Sequence, residues 1–405
     1  MINVGILGYG TVGSGVFDIL RDNSEIIGKR AGKDIKVKYV LDLRDFPGDP
    51  VEKVLVHDYD IILKDEEVKI VVEVMGGVNP AYTFVKSALL AGKSVCTSNK
   101  ELVAKHGAEL LAIAKEKNVN FFFEASVGGG IPIIRPLNQS LTADEILEIS
   151  GILNGTTNFI LTKMDKEGSS FDTVLKEAQE LGYAERNPAA DVEGFDACRK
   201  IAILSSLAIG SQVDFEDIYT EGITKITDVD FKYAKELGVS IKLIGSSKKT
   251  DDGFTAMVAP KMLGGEHPLA GVNGVMNAIF VKGNVLGDVM FYGAGAGKLP
   301  TASAVVSDVV DAVRHLDSNV ETKWNSKKVE LVKKEEMVSK YFVRVNGEVS
   351  SKLAAVEAAF GKVETVTAEG VTGEFGFVTE EMSEKSYEEA AAKVDGIITM
   401  IRYEK

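Results

Sequence analysis

Short apolar runs alternate with amphipathic stretches through the first third of the chain. Residues 2–7, 35–41, 70–74, 94–97 and 119–123 are rich in Val, Ile, Leu and Phe and have the length of buried strands. Apolar positions at helical spacing lie between them, after Gly13 to near Leu20 and over 81–91, where Gly92 closes the turn. Strand-helix alternation of this kind predicts an α/β domain on a parallel sheet. From residue 146 the pattern changes. A strand over 146–153, a polar turn at 154–158, a helix over 170–181 stopped by Gly182, and a charged helix near 228–237 come first. Strands over 240–245, 254–259, 278–282 and 288–292 follow, which predicts an open mixed sheet with helices on one face. A helix over 301–315 comes next. Residues 317–334 are polar, with Trp324 the only large aromatic, and read as a linker. The last stretch reads strand 339–345, helix 352–360, strands 363–368 and 374–379, helix 387–394 and strand 397–403. That β-α-β-β-α-β order predicts a small ferredoxin-like domain.

One stripe breaks the pattern. In the helix expected after Gly194, Asp196, Lys200, Ile203 and Leu207 stand at i, i+4, i+7 and i+11, so two ions head a core-facing face. Buried ions are costly unless paired, and the lining of a reaction pocket is one reason to keep them; a structural salt bridge is the other.

Glycines supply the second signal. Gly8-Tyr9-Gly10-Thr11-Val12-Gly13 follows the first strand and opens a helix. Gly8 permits the tight turn, Gly10 lets a pyrophosphate approach the backbone, and Gly13 lets helix and strand pack closely, with Thr11 and Val12 at the helix start. The second strand ends in Asp42-Leu43-Arg44. An acid there binds a ribose diol and an arginine favours a 2′-phosphate, so NAD and NADP both remain open. Ser98 and Lys100 lie at the carboxyl end of a later strand, where ligands of open parallel sheets sit. Gly128-Gly129-Gly130 implies backbone exposed to a ligand, to another strand or to a domain connection. The Gly293-Gly297 run enters a helix and either closes over the nicotinamide or makes a tight junction.

Composition narrows the partners. A net charge of -14 disfavours nucleic acid and anionic lipid. No basic region followed by an apolar segment opens the chain, and the longest apolar run, 201–209, is interrupted by Ser205 and Ser206, so neither export nor a membrane span is expected. Two cysteines, Cys96 and Cys198, fit a reducing cytoplasm, and His57, His106, His267 and His315 show no zinc-ligand spacing.

Seven ordered blocks carry a resemblance: GYGTVG at 8–13, EVMGG at 73–77, TSNKE at 97–101, EASVGGGIP at 124–132, ISGILNGTTNFIL at 149–161, LGYAERNPAADVEGFDACRK at 181–200 and GAGAGKLPTASAV at 293–305. In these the chain resembles the homoserine dehydrogenases, which interconvert L-homoserine and L-aspartate 4-semialdehyde with NAD(P) on the way to threonine and methionine. The resemblance implies a Rossmann-type dinucleotide-binding domain at 1–135, completed by 297–318, and a substrate-binding, catalytic and dimerisation domain at 136–296. A linker at 319–336 and an ACT-type domain at 337–405 complete it. It implies that Glu185 and Asp196 hold the substrate ammonium or hydroxyl, that Lys200 is the acid-base residue, that Asp191 is an accessory acid, and that Lys100 lies between nicotinamide and substrate. Gly297 and Ser98 would border the cofactor. A sodium ion would be held by the Glu124 side chain and the carbonyls of Val127, Gly129 and Ile131, and the chain would be a homodimer. The ACT type binds amino acids such as threonine in many relatives, but here Asn346-Gly347-Glu348-Val349 replaces its usual acidic-x-Pro-Gly turn. A plain dimerisation or stability role is therefore an equal expectation.

The chemistry suits the residues. Hydride transfer to an aldehyde builds charge on oxygen, which a positioned ammonium stabilises and then protonates. Our expectation is that Lys200 handles the proton and Lys100 polarises the oxygen, with oxidation faster at alkaline pH. Another NAD(P)-dependent dehydrogenase of an amino-acid aldehyde or alcohol, and a non-catalytic dinucleotide sensor, are the competing readings.

Overall fold

The computed structural model describes residues 1–405. Its first part winds β1 (Ile2–Leu7), α1 (Thr11–Asp22), α2 (Ser24–Ala31), β2 (Ile35–Leu41), β3 (Leu55–Val56), α3 (Tyr59–Lys64), β4 (Val68–Glu73), α4 (Ala81–Leu90), β5 (Ser94–Thr97), α5 (Lys100–Glu116) and β6 (Phe121–Phe122). All six strands are parallel, in the order β3-β2-β1-β4-β5-β6. The order reverses between β1 and β4, which opens a crevice at the carboxyl ends of those strands. Val4, Ile6, Ile70, Val71 and Val72 are fully buried, as the unbroken apolar runs require of strands covered on both faces.

The second part adds β7 (Ile146–Ile152), α6 (Gly155–Glu167), α7 (Phe171–Glu180), α8 (Ala189–Val192), α9 (Phe195–Ile209), β8 (Ser211–Gln212), β9 (Tyr219–Thr220), α10 (Asp228–Leu237), β10 (Val239–Thr250), β11 (Gly253–Gly264), β12 (Met276–Gly283) and β13 (Gly287–Ala294). The chain then returns to the first part as α11 (Lys298–Arg314), whose Val305, Val306 and Val309 share a core with Val4, Ile6 and Val16. Gly15 makes that return possible, because a Cβ there would lie 2.9 Å from Cβ of Ala302. After β14 (Asn325–Lys328) come β15 (Val338–Asn346), α12 (Val349–Phe360), β16 (Val363–Val366), β17 (Glu374–Thr379), β18 (Met382–Ser383), α13 (Glu384–Ala391) and β19 (Ile397–Glu404).

Two features depart from the sequence reading. The last segment is joined to the sheet before it. Its four main strands lie in the order β19-β15-β17-β16, and β19 pairs in parallel with β11 through Lys261–Arg402, Met262–Tyr403 and Leu263–Glu404, giving one 11-stranded mixed sheet. The stretch read as a linker is also a packed strap. Trp324 is 5% exposed, its ring lies against Gly107 of α5, and its Nε1 donates to Oε1 of Gln212 at 2.9 Å; β14 pairs with β8 beside it. A polar pattern with one indole looks like a connector, yet that indole fills a groove and the lysines around it stay in water. No helix is long and apolar enough to cross a membrane.

Candidate active site

The glycine turn fits a dinucleotide. Gly8 has φ of +99°, and a Cβ on Gly13 would sit 2.0 Å from the Gly8 carbonyl oxygen, so neither position admits a side chain. A Cβ on Gly10 would meet nothing within 4 Å, so the space over the turn is open. Gly10 heads α1 without a side-chain cap, and no acid lies in the first turn that carries Thr11 and Val12. Free amides with no competing carboxylate make an anion site.

Asp42 stands at the rim of the same crevice. Its Oδ2 accepts the Tyr9 N–H at 2.8 Å, and Arg44 grips both oxygens at 3.0 Å. That grip holds the Asp42 carboxyl well below the usual carboxylate range. Arg44 is largely exposed and rests on the Phe46 ring.

Across the crevice the charged stripe resolves into a cluster. Gly194 in the left-handed conformation starts α9, and Asp196, Lys200, Ile203 and Leu207 are all buried on one face. Asp196 is shared by two lysines from different elements. Lys200 Nζ lies 2.6 Å from its Oδ2, and Lys100 Nζ, from the first turn of α5, lies 2.7 Å from its Oδ1. Lys200 also donates to the Leu153 carbonyl at 2.7 Å. Asn154, the N-cap of α6, donates to Asp196 Oδ2 at 2.9 Å and to Asp191 Oδ1 at 2.7 Å. Burial works against the Asp196 charge, but the two lysines outweigh it and hold the carboxyl well below its ordinary range. For Lys100, burial works against the ammonium and Asp196 outweighs it, with a net rise. Burial dominates at Asp191, whose carboxyl is raised.

The structure thus joins Lys100, Asp191, Asp196 and Lys200. Glu185 does not join them: it lies exposed in the loop between α7 and α8, and its side chain makes no hydrogen bond or ion pair, because the preceding turn is fixed through its backbone carbonyl to Gln179. Ser98 lies between Thr97 and the N-cap Asn99, and Gly297, with φ of +118°, heads α11. The glycine triplet meets a strand end, since Gly130 N–H donates to the Ala294 carbonyl and a Cβ on Gly129 would strike Gly295.

At the proposed cation loop the geometry divides. The buried carbonyls of Val127, Gly129 and Ile131 accept no hydrogen bond, which suits a hard cation. The Glu124 side chain differs from expectation. Its two oxygens accept the backbone N–H groups of Ile133, Ile134 and Arg135 at 2.6 to 2.8 Å, and the Arg135 guanidinium lies 3.9 Å away, so the carboxylate anchors the following turn.

Sequence reasoning missed Asn154, the Leu153 carbonyl and Glu73. The first two sit where a strand gives way to a capped helix, a visible signal in Asn154-Gly155-Thr156-Thr157. Glu73 opens the EVMGG block but drew no role, because an acid closing an apolar strand looks like its solvent end.

Comparison with known proteins agrees with this geometry. Residues 132–310 match the homoserine dehydrogenase family model, and residues 8–124 match that for the homoserine dehydrogenase NAD binding domain. The homoserine dehydrogenase of Neisseria gonorrhoeae is 39% identical, with 100% of this chain and 98% of that protein covered. A homoserine dehydrogenase structure from Thiobacillus denitrificans superposes with a TM-score of 0.92 at 38% identity, covering 100% and 98%. A hyperthermophilic archaeal homoserine dehydrogenase in complex with NADPH matches 77% of this chain and 97% of its own, with a TM-score of 0.66 at 31% identity. The chain belongs to the homoserine dehydrogenase family and is an NAD(P)-dependent oxidoreductase that interconverts L-homoserine and L-aspartate 4-semialdehyde.

Proposed function

We propose that Lys200 moves the proton and Lys100 polarises the reacting oxygen, with Asp196 holding both amines in register. The carrying observation is the shared carboxylate, whose two oxygens each take one ammonium. Bound nicotinamide supplies or accepts the hydride. During reduction the Lys200 ammonium gives a proton to the developing alkoxide, and Asp196 and the Leu153 carbonyl keep its Nζ in place. Lys100, whose ammonium is favoured by Asp196, stays charged and stabilises the same oxygen. During oxidation the hydroxyl proton passes to the Lys200 amine. Asp191 receives the substrate ammonium, and Glu185, in the exposed loop before it, is the second carboxylate that the resemblance assigns to that group. Turnover of Lys200→Ala and Lys100→Ala in both directions tests the assignment; near-normal turnover in Lys200→Ala reverses it.

Around this site the same reading assigns Gly8, Gly10, Thr11, Val12 and Gly13 to the pyrophosphate, Ser98 and Gly297 to the nicotinamide side, and Asp42 and Arg44 to the adenosine ribose. Arg44 at the exposed rim supports NADP, and Asp42 supports NAD. A rise in KM for NADP alone in Arg44→Ala separates the two. A sodium ion held by the carbonyls of Val127, Gly129 and Ile131 is supported by their unspent lone pairs. The β-α-β-β-α-β order of 338–404, with its strands in the order β19-β15-β17-β16, supports a ferredoxin-like, ACT-type unit. Its Asn346-Gly347-Glu348-Val349 turn lacks proline, and unchanged activity across a threonine titration removes the effector role. Exposed Met290 and Tyr292 on edge strand β13 support a homodimer, which sedimentation tests. Amino-acid biosynthesis in the cytoplasm is the setting this implies.

A further inference from the structure

One fully buried carboxylate lies beside the crevice without a cation. Glu73 ends β4, is 0% exposed, and makes no ion pair, whereas Asp196 across the site is matched by two lysines. Its neighbours in the sheet are Leu7, at the end of β1 before the glycine turn, and Thr97, at the end of β5 before Lys100. It therefore stands at the strand-order reversal, where the dinucleotide of an open parallel sheet lies.

Its hydrogen bonds show what it holds and in which form. Oε1 accepts the Met75 N–H at 2.8 Å, and Oε2 accepts the Thr97 hydroxyl at 2.7 Å. Thr97 Oγ1 also accepts the Asn99 N–H at 3.0 Å, which leaves its own proton free for Glu73. In that arrangement both carboxylate oxygens act as acceptors, the pattern that suits the ionised form. Asn99 then caps α5 by accepting the Leu102 N–H at 3.1 Å, and its Nδ2 donates to the Gly77 carbonyl at 2.6 Å. The relay runs from Glu73 through Thr97 and Asn99 to the first turn of α5, where Lys100 stands, and it closes back on the β4 loop at Gly77. Burial pushes the Glu73 carboxyl up, and hydrogen bonds from Thr97, Met75, Asn99 and Gly76 work against that rise.

We infer that Glu73 is a positioning residue whose buried negative charge, at the strand-order reversal and linked through Thr97 and Asn99 to the start of α5, favours the oxidised, cationic nicotinamide over the neutral reduced one. The ring gains a positive charge when it loses its hydride, so a nearby uncompensated carboxylate acts on one redox form and leaves the other nearly untouched. The inference rests on the crevice holding the cofactor as proposed above, and it is independent of which lysine moves the proton.

The test is cofactor binding without substrate, read for each redox form by calorimetry or by quenching of protein fluorescence. Glu73→Gln keeps shape and one acceptor but removes the charge. Its dissociation constant for the oxidised dinucleotide is expected to rise about 5- to 20-fold while that for the reduced form stays within about twofold. Glu73→Asp, which restores the charge, is expected to recover most of that ratio. An equal loss of affinity for both forms in Glu73→Gln would overturn the charge role and leave only a brace for the loop. An unchanged ratio with normal binding would overturn the inference entirely. Thr97→Val removes one of the donors that favour the ionised carboxylate; a partial loss of the affinity ratio is the expected result, and an unaltered ratio counts against the assignment.

Discussion

Two buried charge clusters of this molecule have opposite stoichiometry. At the proposed active site one carboxylate, Asp196, is shared by two amines, Lys100 and Lys200. Along the seam of the 11-stranded sheet the ratio inverts. Arg402 lies between Glu384 at 2.6 Å and Glu221 at 2.9 Å, and Arg344 between Asp230 and Glu374, both at 2.8 Å. Burial does not separate the clusters, since Asp196 and Arg402 are both nearly inaccessible. What separates them is the state of the donors. The Arg344 guanidinium directs both arms and Nε into carboxylates, while Lys100 and Lys200 share one acid and keep ammonium N–H groups unspent. Arg402 leaves its Nη2 without a partner, but that atom is enclosed in the seam. A cation enclosed between carboxylates is a fastener, and one with free N–H groups facing a crevice is suited to act as a reagent.

The sharpest break of the comparison exchanges the two. Lys200→Ala is expected to lower kcat about 10²- to 10⁴-fold, the range for removing a positioned acid-base group, while the thermal midpoint stays within a few degrees. Arg402→Ala should do the reverse. It leaves Glu221 without an ion pair and Glu384 with only Lys334 at 3.7 Å, and breaking a buried pair costs about 3–5 kcal/mol, read as a fall in the denaturant midpoint. The kcat of the folded fraction should be unchanged. If Arg402→Ala instead abolishes turnover with no loss of stability, the seam is part of the catalytic machinery.

These clusters also show what the sequence could convey. Asp196 and Lys200 lie four apart on one helix, so their pairing is visible in the spacing, and the glycine turn is legible because six consecutive residues carry it. Lys100 reaches Asp196 from 96 positions away, and only the resemblance placed it there. Arg402 and Glu221 are 181 apart, joined because β19 adds to β11, a pairing no local pattern specifies. Trp324 was misplaced for the same reason, since its groove on α5 forms only when the chain returns from α11. Strand and helix identity is local, whereas the fusion of sheets and the filling of grooves are not.

Acid should open the seam before it disables the fold of the parallel sheet. Burial works against the Glu404 charge, but Lys261 and Lys248 overcome it and bring the carboxyl down to about 2. A folded value below the unfolded one, about 4.3, means stability fully present above that value and lost as pH falls toward 2. The linked loss is at most about 3 kcal/mol, smaller in practice because Glu404 is partly exposed. Unfolding measured from pH 6 to pH 2 should therefore show a steeper loss in the wild type than in Glu404→Gln. Parallel curves would mean that the Glu404 pairing with Lys261 adds nothing to the seam.

The smallest effect is expected at Asp191, and it sharpens the boundary of the reactive cluster. Asp191 touches neither lysine. It reaches Asp196 only through the Asn154 amide, which donates to both carboxylates. Asp191→Asn keeps the shape and an acceptor oxygen but removes the carboxylate from the proposed substrate pocket. If Asp191 receives the substrate ammonium, KM for homoserine should rise about 10-fold, roughly 1.4 kcal/mol, with kcat nearly unchanged, the pattern of lost uniform binding. If it instead orients Asp196 through Asn154, kcat should fall while KM holds, and Asn154→Ala should show the same fall.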